Sequence, residues 1–334
     1  MTGSGPGGDA PTACTSLQVP TWAYLSLAAS MALVGSYVGL SRLLVAVFPV
    51  LLLAWLRFGI AAVAMAHWVR RRPGDLPLSP ADRRLLFLES FLGNFLFSIC
   101  MLYGVALTSA LAAGVTMAAI PAAVALMSRI FLGERIRPRV AAAIGCAVAG
   151  IALLGLARHD GPSAGIAAQG PFDPALLGYA LLVAAVLCEA SYVVIGKRLT
   201  ASVSPRRISA LINLWGLLLV TPFGLWQAWS FDFARVSLPM WTLLVFYAIA
   251  ASMVTVWLWM MGLRHVPSSR AGVYTVLLPV SAAAVGIVLL GEPFGSAHVM
   301  AFGFALLGLL LATWPERGVA EAATKTLSRS LPPR

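Results

Sequence analysis

The sequence predicts an all-α membrane protein of ten transmembrane helices, arranged as two five-helix repeats of opposite orientation. Three observations predict it. The chain is poor in charge, it holds ten apolar stretches of membrane-spanning length, and its second half repeats the first at a constant offset. Of 334 residues, 60% are hydrophobic and 10% charged, whereas a soluble domain carries about 25% charged residues. That deficit, more than the apolar excess, places the chain in lipid. The net charge of +11 would suggest nucleic acid in a soluble protein. Here the cations fall between apolar stretches, where Lys and Arg set membrane topology instead.

A crossing helix needs about 20 mostly apolar residues. Stretches that meet this rule are 21–40, 46–68, 85–106, 109–131, 139–157, 175–195, 207–229, 239–262, 268–290 and 296–314. Residues 1–20, rich in Gly, Pro and Thr and without Lys or Arg, read as a disordered tail and not as a cleaved signal peptide. The first repeat then covers 21–157 and the second 174–314. A Gly/Pro-rich linker at 158–173 joins them, and 315–334 form a C-terminal tail.

The cations test this count. If the N-terminus is cytoplasmic, one set of connecting segments holds Arg70, Arg71, Arg72, Arg83 and Arg84; Arg135, Arg137 and Arg139; Lys197, Arg198, Arg206 and Arg207; Arg264 and Arg270; and Arg317, Lys325, Arg329 and Arg334. The other side holds Arg42, Arg158 and Arg235. Eighteen against three puts both termini in the cytoplasm by the positive-inside rule. A missed or extra span would scramble the split.

The repeat is explicit in spans three to five and eight to ten, at an offset of 158. Gly104 pairs with Gly262, Ala113-Gly114-Val115 with Ala271-Gly272-Val273, and Pro121 with Pro279. Leu132-Gly133-Glu134 pairs with Leu290-Gly291-Glu292, Gly145 with Gly303 and Gly150 with Gly308. A weaker match joins Ser36-Tyr37-Val38 to Ser191-Tyr192-Val193. A repeat with an odd number of spans must cross in the opposite sense the second time. Inverted repeats of this kind mark secondary transporters, whose substrate site lies near the midplane at the repeat interface.

Ten spans, a duplicated five-helix unit, Arg57 within Leu56-Arg57-Phe58 of span two and the paired proline-to-Leu-Gly-Glu segments resemble the drug/metabolite transporter superfamily. Within it they are similar to the EamA-type exporters, and the likeness covers about residues 20–315. The resemblance implies export of amino acids or related small metabolites across a bacterial inner membrane. Among exporters of this type are ones that work beside opine-metallophore synthesis, and the chain resembles that group. Importers or exchangers of phosphorylated and nucleotide-linked metabolites occur in the same superfamily. Several phosphates would need several deep cations, and Arg57 is the one that lies deep.

Candidate site residues follow from depth. Pro121 and Pro279 sit near the middle of spans four and nine. Each removes a backbone donor and frees a carbonyl one turn earlier, and matched breaks in two halves point to a binding site or a gating hinge. Arg57 lies near the middle of span two, where a charge costs roughly 2.5–3.5 kcal/mol on an insertion scale. It either grips a substrate carboxylate with a bidentate fork or bonds carbonyls or a fixed acid within the bundle. Glu189, deep in span six, is opposite Val34 in the first repeat and so lies outside the duplicated scaffold. It is a candidate for a substrate amine, for a proton exchanged in antiport, for an ion pair with Arg57, or for a carboxylic acid held neutral. One deep base and one deep acid suit a zwitterion.

Glu89, one turn inside span three, reads as a side chain that snorkels to the membrane edge, as does Arg129 in span four. Asn94 and Asn213 either bond substrate or tie helices together. Among deep aromatics, including Tyr103, Tyr192, Trp215, Trp257 and Trp259, Tyr274 is the one assigned to the substrate path. Gly35 and Gly39 form a GxxxG face suited to helix packing within the chain or in a homodimer.

Other chemistry is not legible. Cys14, Cys100, Cys146 and Cys188 form no metal-spaced set, and His67, His159, His265 and His298 lie in separate segments. Neither HExxH nor GxxxxGK[ST] occurs. No cofactor, metal or catalytic group is expected. The expected partners are a small-molecule substrate, the bilayer and a coupling proton.

Overall fold

The computed structural model describes residues 21–70, 77–132, 138–157, 174–199, 202–263, 265, 274 and 277–313. All regular structure among them is helical. Span one is Thr21–Val47 and span two is Val50–Ala64 continued by Ala66–Val69. Span three runs over Pro80–Leu107, span five over Pro138–Ala157, span six over Pro174–Leu199 and span seven over Pro205–Ser230. Span eight comprises Leu238–Ile249, a π-helical turn and Thr255–Leu263. Span nine is described from Leu277, and span ten is Ser296–Thr313. Five of these helices are individually long and apolar enough to cross a membrane, and four more are apolar but shorter. Both tails, the linker at 158–173, Gly133–Arg137 and the start of span nine lie outside the described residues, as does the side chain of Arg129.

Span four is divided. Ala110–Met117 and Ile120–Leu132 flank a turn at Ala118 and Ala119. Pro121 cannot donate to the carbonyl of Met117, and its ring crowds the preceding turn. In the first turn of the second piece the same proline is well placed. Pro279 occupies the matching position in span nine, within the described helix Leu277–Ala284. Spans three and eight each contain a π-helical turn, at Phe91–Leu96 and Ala250–Val254. The repeat offset carries one onto the other, so the irregularity belongs to the duplicated unit.

Some spans are longer than their apolar cores. Span one continues past Leu40 because Arg42 has partners, donating to the carbonyls of Val105 and Ala106 at the end of span three. Span three starts at Pro80 because Ser79 and Asp82 form a reciprocal capping box.

Glycine fixes how the repeats meet. A Cβ on Gly104 would stand 2.7 Å from Leu182 Cδ2 and 3.3 Å from the carbonyl oxygen of Gly178. A Cβ on Gly262 would stand 2.7 Å from Leu27 Cδ2 and 3.0 Å from the carbonyl oxygen of Ala23. The pairs correspond residue by residue, so span three crosses span six as span eight crosses span one. Each repeat therefore packs its third helix against the first helix of the other.

The Leu-Gly-Glu segment of the second repeat has a physical explanation. Gly291 takes the left-handed conformation, at φ 64°, and ends span nine. The amide of Glu292 returns to the carbonyl of Gly286 at 2.9 Å, one residue farther back than in a Schellman cap because span nine ends in a π-helical turn. The Glu292 carboxylate then accepts from the amides of Ala110 and Leu111 at 2.8 and 2.9 Å. It closes the N-terminus of span four in the other repeat.

End contacts fall into two sets. Arg42 meets Ala106, Glu292 meets Ala110, Gln227 accepts from the amide of Leu52, and Phe48 stacks on Phe231. At the arginine-rich end, Ser202 donates to Asp82, Trp22 meets His265, and Arg206 lies over Trp68. Among the described residues these pairs do not mix the two ends, as alternate crossing requires.

The Gly35 and Gly39 face is occupied by span nine of the same chain. A Cβ on Gly35 would strike the carbonyl of Leu278 and the hydroxyl of Ser281 and come within 2.8 Å of the Ala282 nitrogen. Two of these are backbone atoms that cannot rotate away. Gly35→Ala is therefore expected to destabilise the protein by about 1–3 kcal/mol, read as a lower melting temperature in detergent. Gly145→Ala, with nothing within 4 Å of the new atom, is expected to leave the melting temperature unchanged or slightly higher.

Candidate functional site

Spans two, three and seven meet around Arg57, which is 6% exposed. Its Nη2 donates to Ser98 Oγ at 2.6 Å and to Asn94 Oδ1 at 3.4 Å. The guanidinium carbon lies 4.4 Å from the centre of the Phe58 ring and 5.8 Å from that of Tyr247. Such faces stabilise a desolvated cation. Among the described residues no ion pair joins Arg57 to a carboxylate, so it is not the partner of Glu189. Its Nε is buried without a hydrogen-bond partner.

The π-helical turn of span three supplies the rest. Asn94, within that turn, donates through Nδ2 to the carbonyl of Ile212 at 3.1 Å, and Ser90 donates to the same oxygen at 2.7 Å. From span seven, Asn213 donates to the carbonyl of Phe58 at 3.0 Å, while its buried Oδ1 has no partner. Both asparagines thus tie helices together, and Asn94 also holds the guanidinium. A π-turn shifts the register of the backbone and is frequent at functional sites.

Glu189 approaches from span six. Its charge acts on Tyr37, Tyr192 and Glu89, and Arg57 acts on Tyr37 and Tyr247. Tyr37 and Tyr247 meet edge to face at 5.6 Å. A base, an acid and tyrosines from spans one, six and eight therefore share one electrostatic neighbourhood, between the first helices of both repeats.

Other expected residues lie apart. Tyr274 packs on Tyr24 at 6.0 Å and joins a cluster with Ala23, Leu27 and Trp259 near the arginine-rich end. Trp215 and Trp257 are exposed on the outer surface of the bundle. Pro279 is buried and its carbonyl faces Gly114 of span four, so the proline-bearing helices touch. Glu89 differs most from expectation: it is 1% exposed and does not snorkel. Span six covers it, and Gly196 there leaves room for the carboxylate. Sequence depth also missed Ser90, Ser98, Tyr37 and Tyr247. Small hydroxyls carry no depth signal in a helix, and the tyrosines stand out only when the halves are aligned. Two cavities, of 580 and 280 Å³, are lined by Leu238, Pro239 and Phe246 and by Trp68, Arg206 and Trp257 respectively. Neither includes Arg57 or Glu189.

A family model for the EamA-like transporter family matches residues 21–156 and again 176–314. The chain belongs to the EamA-like transporter family. The double match covers both repeats and agrees with the duplicated contacts described above. The uncharacterised transporter YetK of Bacillus subtilis (strain 168) is 34% identical over 290 residues, 86% of each chain. Among solved structures, the crystal structure of a protein 19% identical to this transporter superposes with a TM-score of 0.57. The match covers 91% of this chain and 99% of the other, which shows a shared fold.

The Arg57 network predicts coupled losses. Ser98→Ala removes a hydrogen bond to a buried cation and is expected to cost about 1.5–3 kcal/mol. Combined with Arg57→Met, the total is expected to fall short of the sum of the single losses. Unfolding of the four proteins in one detergent measures the coupling.

Proposed function

We propose that this EamA-like transporter exports a small, zwitterionic, amino-acid-derived metabolite across the bacterial inner membrane by alternating access, with a proton as coupling ion. The observation that carries this reading is Arg57: a buried cation, held by neutral groups, without a carboxylate of its own among the described residues. A substrate carboxylate is the complementary group, and the partnerless Nε offers it a donor. Glu189, in the same neighbourhood, suits the substrate's amine or the proton that replaces it. A compound of the opine-metallophore type combines carboxylates and amino nitrogens and fits this pairing. The break at Pro121, the proline at the matching position 279 and the matched π-helical turns of spans three and eight support rocking of one repeat against the other, with Pro121 and Pro279 as hinges.

Deletion followed by untargeted profiling of cells and medium tests export. One compound is expected to be retained in the cells and missing from the medium, and no change in any compound would sink the reading. Glu189→Gln is expected to abolish efflux driven by a pH gradient. Normal efflux with unchanged pH response would remove Glu189 from coupling.

The charge split and the two sets of end contacts support cytoplasmic termini. In a chain whose own cysteines are replaced, Asp232→Cys is expected to react with an impermeant maleimide in whole cells. Arg83→Cys is expected to react only after permeabilisation, and the reverse pattern would invert the topology.

A further inference from the structure

Glu89 is a buried acid that neither the packing nor the Arg57 network requires. Its Oε2 is buried without a hydrogen-bond partner. Its Oε1 stands 2.8 Å from where a Cβ on Gly196 would be. The repeat offset of 158 places Tyr247 at the equivalent position in span eight. Tyr247 packs on Tyr37 of span one. The counterpart of Tyr37 in span six is Tyr192, on which Glu89 acts electrostatically. The protein therefore builds one neighbourhood twice, with Tyr247 beside Tyr37 in one copy and Glu89 within electrostatic reach of Tyr192 in the other. An uncharged ring serves the packing in one copy, and the other holds a carboxyl group despite the cost of desolvating it.

We infer that Glu89 carries the coupling proton of this transporter, taking it up as a carboxylic acid and releasing it along the seam between spans three and six that also holds Glu189. The inference rests on the proton-coupled reading above. A sealed carboxylate needs a cation, and the backbone of Gly196 at van der Waals range leaves room for a proton and not for an organic ammonium. Spans six and seven pack against this turn of span three. Span six contributes Glu189 and Tyr192, both within electrostatic reach. Span seven carries Arg206, which lies over Trp68, and the half-buried Arg207, which has interactions of its own. Among the described residues, the charge that acts on Glu89 is that of Glu189. Proton occupancy of the two acids is thereby linked, because ionising one opposes ionising the other.

Dicyclohexylcarbodiimide, which adds to protonated carboxyl groups in apolar sites, is the probe. The full-length protein in liposomes is treated across a pH series, digested and read by mass spectrometry. An adduct on Glu89 that declines as pH rises is expected, absent from Glu89→Gln and retained in Glu189→Gln. In cells, the isosteric Glu89→Gln is expected to lose export of whichever compound the deletion removes from the medium while keeping a wild-type melting temperature. No adduct on Glu89 at any pH at which the protein stays folded would overturn the inference. So would a Glu89→Gln protein whose export responds to external pH as the wild type does. Wild-type export that ignores external pH would overturn proton coupling itself, and with it this role for Glu89.

Discussion

Lipid offers a backbone amide or carbonyl no hydrogen bond, so every helix end and break within the membrane must be closed by the protein itself. In this transporter several of those closures are made by the opposite repeat. Glu292 accepts from the first amides of span four, and Gln227 accepts from the amide of Leu52 at the start of span two. Ser90 and Asn94 donate to the carbonyl of Ile212, and Ser30 donates to that of Thr255 at 2.9 Å. Each joins a helix of one repeat to a helix of the other. The irregular points of the backbone are also the points where the halves are fastened.

Much of this was legible in the sequence, because it is written in residue types whose meaning survives without a structure. Arginines alternate by side, prolines break helices, and glycines mark close crossings. The constant offset therefore announced the duplication, and Gly104 and Gly262 were visible as a pair. Their partners were not, because Leu182 and Leu27 look like any other leucine in lipid. Leu-Gly-Glu was recognisable as shared, but its job was not. The left-handed Gly291 and the reach of Glu292 to another helix exist only in three dimensions.

The candidate site was half legible for a related reason. Depth along a helix singles out Arg57 and Glu189, since charge at mid-membrane is costly wherever it points. Depth does not say which way a side chain faces. Arg57 and Glu189 each suited an ion pair with the other, yet Arg57 turns to Ser98 and Asn94. Glu89 is only one turn from the membrane edge, which made snorkelling the economical reading. The close approach of span six at Gly196 buries it instead, and that approach is a property of the pair of helices.

The duplication also shows where the halves have diverged. The π-helical turns of spans three and eight coincide under the offset, and next to each a side chain bonds a carbonyl of the opposite repeat. Asn94 does so in the first copy, and Ser30 meets Thr255 in the second. The flanking residues have nonetheless separated in character. Glu89 precedes the first turn where Tyr247 precedes the second. Asn94 and Ser98 hold a guanidinium in the first, where Ser252 and Val256 stand in the second. A symmetric scaffold can pass between two mirrored arrangements of similar energy, because each repeat can adopt the shape of the other. Charges placed in one copy alone remove that equivalence. A ligand that binds such a charge has different free energies in the two arrangements, and only a ligand with such a difference can shift the equilibrium between them.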